Sequence, residues 1–261
     1  MYEAAAAAPG PAALGPLWRL GAGRTLFVGP LVYNAPHQHG APVFLSSLGG
    51  PFGLRLPGGG WLACEAAMIP AGVVHELRLD GEPVFVLYAE PDAGGPAALA
   101  SLVAAPSERD GVLVGRSMVQ TFARELHERR DALDFVDEGL DDALAFAQAR
   151  ARRAIDPRVA ATARALDRAG APLDRLARSA GLSPSRLQHL FTQEVGVPFR
   201  RYRAWARMRR AIAEIVEGSN FTTAAHAAGF ADQAHFARHF RATFGAAASV
   251  SLTKPRAPAG R

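Results

Sequence analysis

Two short stretches, APHQHGAPV at 35–43 and MIPAGVVHEL at 68–77, hold the side chains best suited to bind an ion. His37, His39 and His75 each offer an imidazole nitrogen. Three histidines on strands can build a site for a divalent metal such as Zn, Fe, Ni or Cu. Glu65 lies elsewhere, and Glu76 would point away from His75 because neighbouring strand residues face opposite sides. The alternative is that these histidines line a small-molecule effector pocket or stabilise a strand end. Trp61, Phe44, Phe52 and Tyr88 are candidates to line such a pocket, or plain core. Cys64 is the single cysteine, which excludes a disulfide framework and a thiolate cluster. It reads as a small buried residue.

A second kind of chemistry is written late in the chain. GLSPSRLQHLF at 181–191 and GFADQAHFARHF at 229–240 are two copies of one pattern. Each opens at a glycine after small residues, gives an apolar residue and a short polar turn, and continues as a helix. The closing glycines are Gly196 and Gly245, and the offset is about 48 residues. On a helical wheel, Leu187, Leu190, Phe191 and Val195 gather on one side of the first reading helix. Ser185, Gln188, His189 and Thr192 gather on the other. In the second, Phe236, Phe240 and Phe244 form the apolar side, while Ala234, Ala237, Arg238 and Arg241 face away. The outward faces are small or polar and carry no acid. Such a face suits a major groove, where small residues allow close approach and Gln or Arg can reach base edges.

Charge agrees with that reading. The whole chain is +5, but residues 1–95 are −3, residues 96–150 are −4 and residues 151–261 are +12. The last third therefore suits a polyanion. Between the two copies, VPFRRYRAWARMRRAIAEIVEG reads as one helix over 198–216, about 28 Å long. It could hold two reading helices about one DNA turn apart. Arg200, Arg201, Arg203, Arg207, Arg209 and Arg210 on it, with Arg186 and Arg241 on the reading helices, supply charge for phosphate contacts.

The elements that must position these residues fall into two classes. From about 24 to 90, short apolar or alternating runs punctuated by Gly and Pro predict strands of a barrel or sandwich. From about 96 the pattern turns helical, with candidates in PAALASLVAA, MVQTFARELHERRD and LDDALAFAQARARRA. Asp156-Pro157 starts a further helix, PRVAATARALDRAG, with Pro at its first turn and Gly170 beyond its end. The expected division is an N-terminal arm at 1–20, a β-barrel at 21–95, a helical connector at 96–154, a DNA-binding unit at 155–250 and a flexible tail at 251–261. The fold class is α+β.

Residues 157–247 resemble the DNA-binding domain of AraC/XylS-family transcription regulators, through LxxLARSAGLSPSRLQHLFTQEVGVPFRRY and AAHAAGFADQAHFARHFRATFG. The resemblance implies seven helices with one recognition helix per unit. By position, Ser185, Gln188 and His189 correspond to base-facing sites of the first unit. Gln233, Ala234, Ala237 and Arg238 correspond to those of the second. Two departures stand out. Ala248, Ser251 and Leu252 replace the usual Pro, aromatic and basic residues after the last glycine, which leaves the final helix in question. Ala234 and Ala237 cannot hydrogen-bond a base, so the second unit reads fewer bases. In the first part of the chain, His-x-His followed by Pro-x-Gly-x-x-His resembles the metal-ligand motifs of cupin barrels. This looks like the sensory half of AraC-type regulators. The cupin pattern's Glu after the His pair is missing, since GAPVFL has no carboxylate.

The resemblance implies a transcription regulator: double-stranded DNA and a small-molecule effector as partners, a homodimer formed through the helices at about 117–152, and RNA polymerase if it activates. The apolar positions Phe122, Leu126, Leu133, Leu140, Leu144 and Phe146 are the candidate dimer face, or simply pack on the barrel. The rival is a cupin-type metalloenzyme with an accessory basic domain, against which the missing Glu argues. Alkyl-transfer DNA repair requires cysteines that Cys64 alone does not supply. No apolar run reaches the roughly 18–20 residues that span a bilayer. MYEAAAAAPGPAALGPLW lacks the basic start and apolar core of a signal peptide, so the expected location is cytoplasmic.

Overall fold

The computed structural model describes residues 14–150, 155–169 and 171–256. Eleven strands come first: β1 (Leu17–Gly21), β2 (Arg24–Pro30), β3 (Tyr33–His37), β4 (Val43–Ser47), β5 (Phe52–Arg55), β6 (Trp61–Cys64), β7 (Ala66–Ile69), β8 (His75–Arg78), β9 (Pro83–Ala89), β10 (Val103–Arg109) and β11 (Val112–Ser117). A short helix α1 (Gly95–Ala100) precedes β10. They form a seven-stranded sheet, β1-β2-β9-β4-β7-β11-β10, and a four-stranded sheet, β3-β8-β5-β6. All the pairings are antiparallel.

Strands β2, β9, β4 and β7 of the large sheet are buried on both faces, which explains their nearly continuous apolar runs, whereas β10 at the edge is largely exposed. Val43 and Leu45 of β4, with Val86 and Tyr88 of β9, share a core with Leu54 and Leu77 of the small sheet. Phe44, Phe85 and Leu87 point the opposite way, as strand alternation requires. They pack with Leu126 of α2 (Gln120–Glu128) and with Val136, Leu140 and Leu144 of α3 (Ala132–Arg150). The expected dimer face is thus largely spent on packing against the sheet, with Phe146 on the outside at 42% exposure. Two acids of α3 are tied down as well. Asp137 pairs with Arg19 and Arg24, and Asp141 with Arg24, which clamps α3 to the β1–β2 hairpin.

Three expected boundaries need correction. The sheet domain does not end at residue 95, because β10 and β11 extend it to Ser117. The expected helix PAALASLVAA is helical only in its first part: α1 stops at Ala100 and the chain enters a strand at Val103. Asp110-Gly111 closes the hairpin with both residues at positive φ, 49° and 79°, as a two-residue type I′ turn requires. The arm does not reach residue 20, since β1 starts at Leu17; residues 1–13 lie outside the described part. Residues 251–256 are not a loose tail. Helix α10 (Ala248–Leu252) buries Ser251 and Leu252. Trp18 Nε1 donates to the Ser251 carbonyl at 2.8 Å, and the Arg256 guanidinium donates to the carbonyls of Leu126, His127 and Arg129.

The C-terminal helices are α4 (Pro157–Ala169), α5 (Leu173–Ser179), α6 (Pro184–Val195), α7 (Phe199–Val216), α8 (Phe221–Ala227), α9 (Gln233–Phe244) and α10. With α10 they make the seven helices that the resemblance implies. Gly170 and the expected domain boundary at 154 fall outside the described residues. No described helix is long and apolar enough to cross a membrane.

Candidate functional site

Each reading helix is fixed by its own caps. Ser183 accepts the Arg186 N–H at 3.3 Å and starts α6, with Pro184 in the first turn. Asp232 accepts the His235 N–H at 2.6 Å and starts α9. Such caps satisfy amides that a helix start leaves without partners. Gly196 and Gly245 end the two helices in the left-handed region, the usual glycine stop. Leu187, Phe191 and Val195 are buried under α6, and Phe236, Phe240 and Phe244 under α9.

The opposite faces meet solvent. Ser185, Arg186, Gln188 and His189 are exposed on α6, as are Gln233, Ala234, Ala237, Arg238 and Arg241 on α9. Thr222 Oγ1 donates to Gln233 Oε1 at 2.9 Å. That bond orients the amide and leaves its NH₂ group facing outward. An open cleft of about 1280 Å³ runs along α7 between α4 and the second unit, lined in part by Arg200, Arg201, Arg203, Arg207 and Arg210. Arg200, Arg201 and Arg203 are exposed, though Arg201 donates to Gln38 Oε1 of the sheet domain at 2.8 Å. The Arg207 guanidinium stacks 4.3 Å over the Phe230 ring. Burial, with Arg203 nearby, lowers the pKa of Arg207.

Arg209 does not belong to this cationic surface. It is 4% exposed and turned into the interface between the helices and the sheets. Its guanidinium donates to Thr25 Oγ1 at 2.7 Å, to the Gly21 carbonyl at 2.8 Å and to the Arg24 carbonyl at 3.0 Å. It also pairs with Asp167, and its Nε lies 3.4 Å from Glu90 Oε1. Glu90, at the end of β9, accepts Tyr202 Oη–H at 2.6 Å and Trp205 Nε1–H at 2.8 Å. Burial pushes the Glu90 carboxyl up, against the opposing pull of Arg209, Tyr202 and Trp205. Sequence reasoning counted Arg209 among the phosphate contacts and missed Glu90. One signal was there. Tyr202, Trp205, Arg209 and Ile212 recur at steps of three and four, so Arg209 sits on the apolar stripe of α7.

The three histidines converge on the same interface. His37 and His75 are paired across β3 and β8, with ring centroids 4.2 Å apart, and the His39 ring lies 4.8 and 5.0 Å from them. One ligand nitrogen from each lies within 4.8 Å of the others. His37 Nδ1 is 2.8 Å from the Ala35 carbonyl and His75 Nδ1 is 3.0 Å from the Val73 carbonyl. Those contacts place the ring proton on Nδ1 and leave Nε2 as a lone pair. His39 Nε2 lies 3.5 Å from Tyr88 Oη. His39 Nδ1 and His75 Nε2 are buried and make no hydrogen bond of ordinary geometry, at a cost of roughly 1–3 kcal/mol for each such group. Burial lowers the pKa of His37 to about 4 and that of His75 to about 3. Burial and then the neighbouring His37 and His75 hold His39 well below its ordinary range, with the Thr243 backbone opposing. All three rings are neutral at pH 7.

Helix α9 seals this cluster. The His39 ring lies 5.7 Å from that of Phe244 and 6.3 Å from that of Trp205. Asn34 Nδ2 donates to the Phe244 carbonyl at 2.6 Å. Beside the cluster is a cavity of about 40 Å³, lined by Trp18, Phe27, Asn34, His37, His39, Tyr88, Phe240 and Phe244 among others. Of the expected lining aromatics, Tyr88 is there. Phe44 faces α2 and α3, Phe52 is core, and Trp61 stacks outside between Arg55 and Arg78, 4.8 Å from each. Glu76 accepts from Tyr33 and Arg55, away from the cluster. Cys64 is buried and free, its thiol pushed up to about 11 by burial.

The family model described as a helix-turn-helix domain matches residues 176–252, which hold both reading helices. No curated protein sequence matches the chain. Among solved structures, ToxT from Vibrio cholerae O395 aligns with a TM-score of 0.55 at 12% identity, covering 89% of this chain and 98% of its own. Wild-type ToxT from Vibrio cholerae strain SCE256 with an unsaturated fatty acid bound gives a TM-score of 0.54 at 13% identity, covering 88% and 94%. The fold is therefore ToxT-like over both domains, and residues 176–252 are a helix-turn-helix domain.

Proposed function

We infer that this chain, with its AraC-type helix-turn-helix domain, is a sequence-specific DNA-binding transcription regulator controlled by an effector held between the two domains. The observation that carries the reading is the pair of capped, solvent-facing reading helices, with an arginine-lined cleft along α7 beside the second of them. Ser185, Gln188 and His189 from one helix, and Gln233, Ala234, Ala237 and Arg238 from the other, are assigned to base edges. Arg186, Arg200, Arg203 and Arg241 are assigned to phosphates, with Arg201 and Arg207 joining them when released from Gln38 and Phe230.

The sheet domain is the sensor. A relative of the same fold has been seen with an unsaturated fatty acid bound. An apolar effector of that kind suits the lining of Trp18, Phe27, Leu31 and Phe244. The cavity of about 40 Å³ is far below the roughly 300–1,000 Å³ of drug-sized ligand sites. Such a molecule therefore has to part α9 from the sheets, and that movement is how it would change the presentation of the reading helices. A cytoplasmic homodimer through the outer side of α2 and α3, acting with RNA polymerase, completes the reading. Among the described residues no carboxylate joins the histidine cluster to support a metalloenzyme reading.

The test is fluorescence anisotropy of the full chain on DNA from upstream of its own gene, at about 150 mM salt with non-specific competitor. Competitor-resistant binding to one fragment is expected. Weak binding that is equal on all fragments, with and without fatty acid, would overturn the reading.

A further inference from the structure

We propose that the cleft along α7 is a second ligand site, built around Arg207 and Arg210, and that it takes a small phosphorylated molecule rather than the DNA backbone. The inference goes beyond the DNA-reading function and is testable with no DNA present.

The cleft holds charge that nothing in the chain neutralises. Arg200, Arg203, Arg207 and Arg210 follow one another at steps of three and four, so they form one stripe of α7. Arg207 and Arg210 are half-buried. Each donates to a backbone carbonyl, Arg207 to that of Gly229 at 3.3 Å and Arg210 to that of Leu166 at 2.6 Å. A carbonyl carries no net charge, and among the described residues no acid makes an ion pair with Arg203, Arg207 or Arg210. Of the acids lining the cleft, Asp167 is taken by Arg209, while Glu214 and Glu217 stand about one and two turns beyond Arg210. Arg207 Nε is buried and makes no hydrogen bond of ordinary geometry. Burial lowers the pKa of both arginines, with Asp167 opposing at Arg210 and a neighbouring arginine adding at each. Charges withdrawn from water without a counter-charge are costly, and an anion removes that cost.

The donors select phosphate. Guanidinium groups match phosphate oxygens in a fixed fork geometry, and here two of them stand about one turn apart, with Arg168 of α4 on one side and His235 and His239 of α9 on the other. The cleft of about 1280 Å³ exceeds the roughly 300–1,000 Å³ of drug-sized ligand sites, so an organic phosphate fits whole. Position separates this occupant from a duplex. No residue of α6 lines the cleft, and α9 contributes only His235 and His239. Those two lie on a different side of α9 from Ala234, Ala237 and Arg241. The cleft therefore opens beside the reading faces, not under them.

The experiment is isothermal titration of inorganic pyrophosphate into the full-length chain at about 150 mM salt. Expected is one pyrophosphate per chain. Arg210→Gln should weaken binding about tenfold or more, the loss of one charge-assisted hydrogen bond. Arg207→Gln should do the same and serves if Arg210→Gln does not fold. Arg109→Gln, exposed on the β10–β11 hairpin, should bind as the wild type. Saturation with a duplex of random sequence should leave the pyrophosphate bound. The proposal is overturned by the absence of stoichiometric binding in the wild type, or by binding that both variants retain. Complete displacement by the duplex assigns the cleft to the DNA backbone and overturns it as well. Failure of specific DNA binding leaves the pyrophosphate result intact, so the two readings fail separately.

Discussion

Gly245 lies directly against Ala35: the Ala35 N–H donates to the Gly245 carbonyl at 2.9 Å, and a Cβ at 245 would stand 2.3 Å from the Ala35 oxygen. This one glycine ends α9 with φ at 72° and lets the helix end meet strand β3 backbone to backbone. Gly245→Ala should therefore cost about 1–2 kcal/mol from the left-handed conformation alone, with further loss from the collision. The expected result is a lower melting temperature and faster proteolysis between the domains. An unchanged melting temperature and unchanged cleavage would show that the docked arrangement does not depend on this contact.

Glu90 is the second fastening point. Glu90→Ala removes the acceptor for Tyr202 and Trp205 and strips Arg209 of one of two carboxylates. Breaking a buried pair costs about 3–5 kcal/mol; the bonds that Arg209 keeps to Asp167, Thr25 and two carbonyls place this case at the lower end. Glu90→Gln, which keeps an acceptor oxygen, should cost less. Urea unfolding of the three proteins measures the order. Equal stability of Glu90→Ala and wild type would mean that the pair holds nothing together.

On DNA, Arg238→Ala should cost about 1–3 kcal/mol on the native site and relax base choice at one position. Arg203→Ala should weaken all sequences alike and reduce the salt slope by about one. Arg203 is the better phosphate probe than Arg207, whose stacking on Phe230 gives it a structural role. Binding-site selection with each variant separates the two, and an unchanged base preference in Arg238→Ala would remove it from the readout.

Asp156 makes a pH-dependent contribution. The Arg158 side chain first, and then its backbone N–H, hold the Asp156 carboxyl down at about 2. A depressed acid adds stability that is fully present above its unfolded pKa near 4 and is lost as the pH falls through about 2. Solvent screening of this surface pair leaves an effect of about 0.5–1 kcal/mol. Asp156→Ala should be less stable than wild type by that amount near pH 6, with the gap narrowing as the pH falls below about 4 and closing only below about 2. A difference that persisted in acid would assign the effect to something other than the charge.

The reading helices were legible in the sequence because their signals are local. Ser183, Asp232, Gly196 and Gly245 cap them, and three phenylalanines at four-residue steps give the buried face of α9. The pairing of His37 with His75 across the small sheet was legible only as a motif, since β3 and β8 are far apart in the chain. The β10–β11 hairpin was misread although Asp110-Gly111 announced it, because alanine-rich runs have no clear period. What sequence could not supply was the set of partners of Arg209. Its place on the apolar stripe of α7 shows in the spacing, but only the fold reveals that Glu90 and the carbonyls of Gly21 and Arg24 stand ready to receive it.

Because α7 presents its arginine side to solvent and its Tyr202, Trp205 and Arg209 side to the sheets, the two halves of this protein are not freely exchangeable cassettes. A fragment starting at Asp156 would carry those rings, together with Phe244, bare into water, and would be prone to self-associate. Grafting its reading helices onto another sensor would require that sensor to supply an acid where Glu90 is and a bare strand edge where Ala35 is.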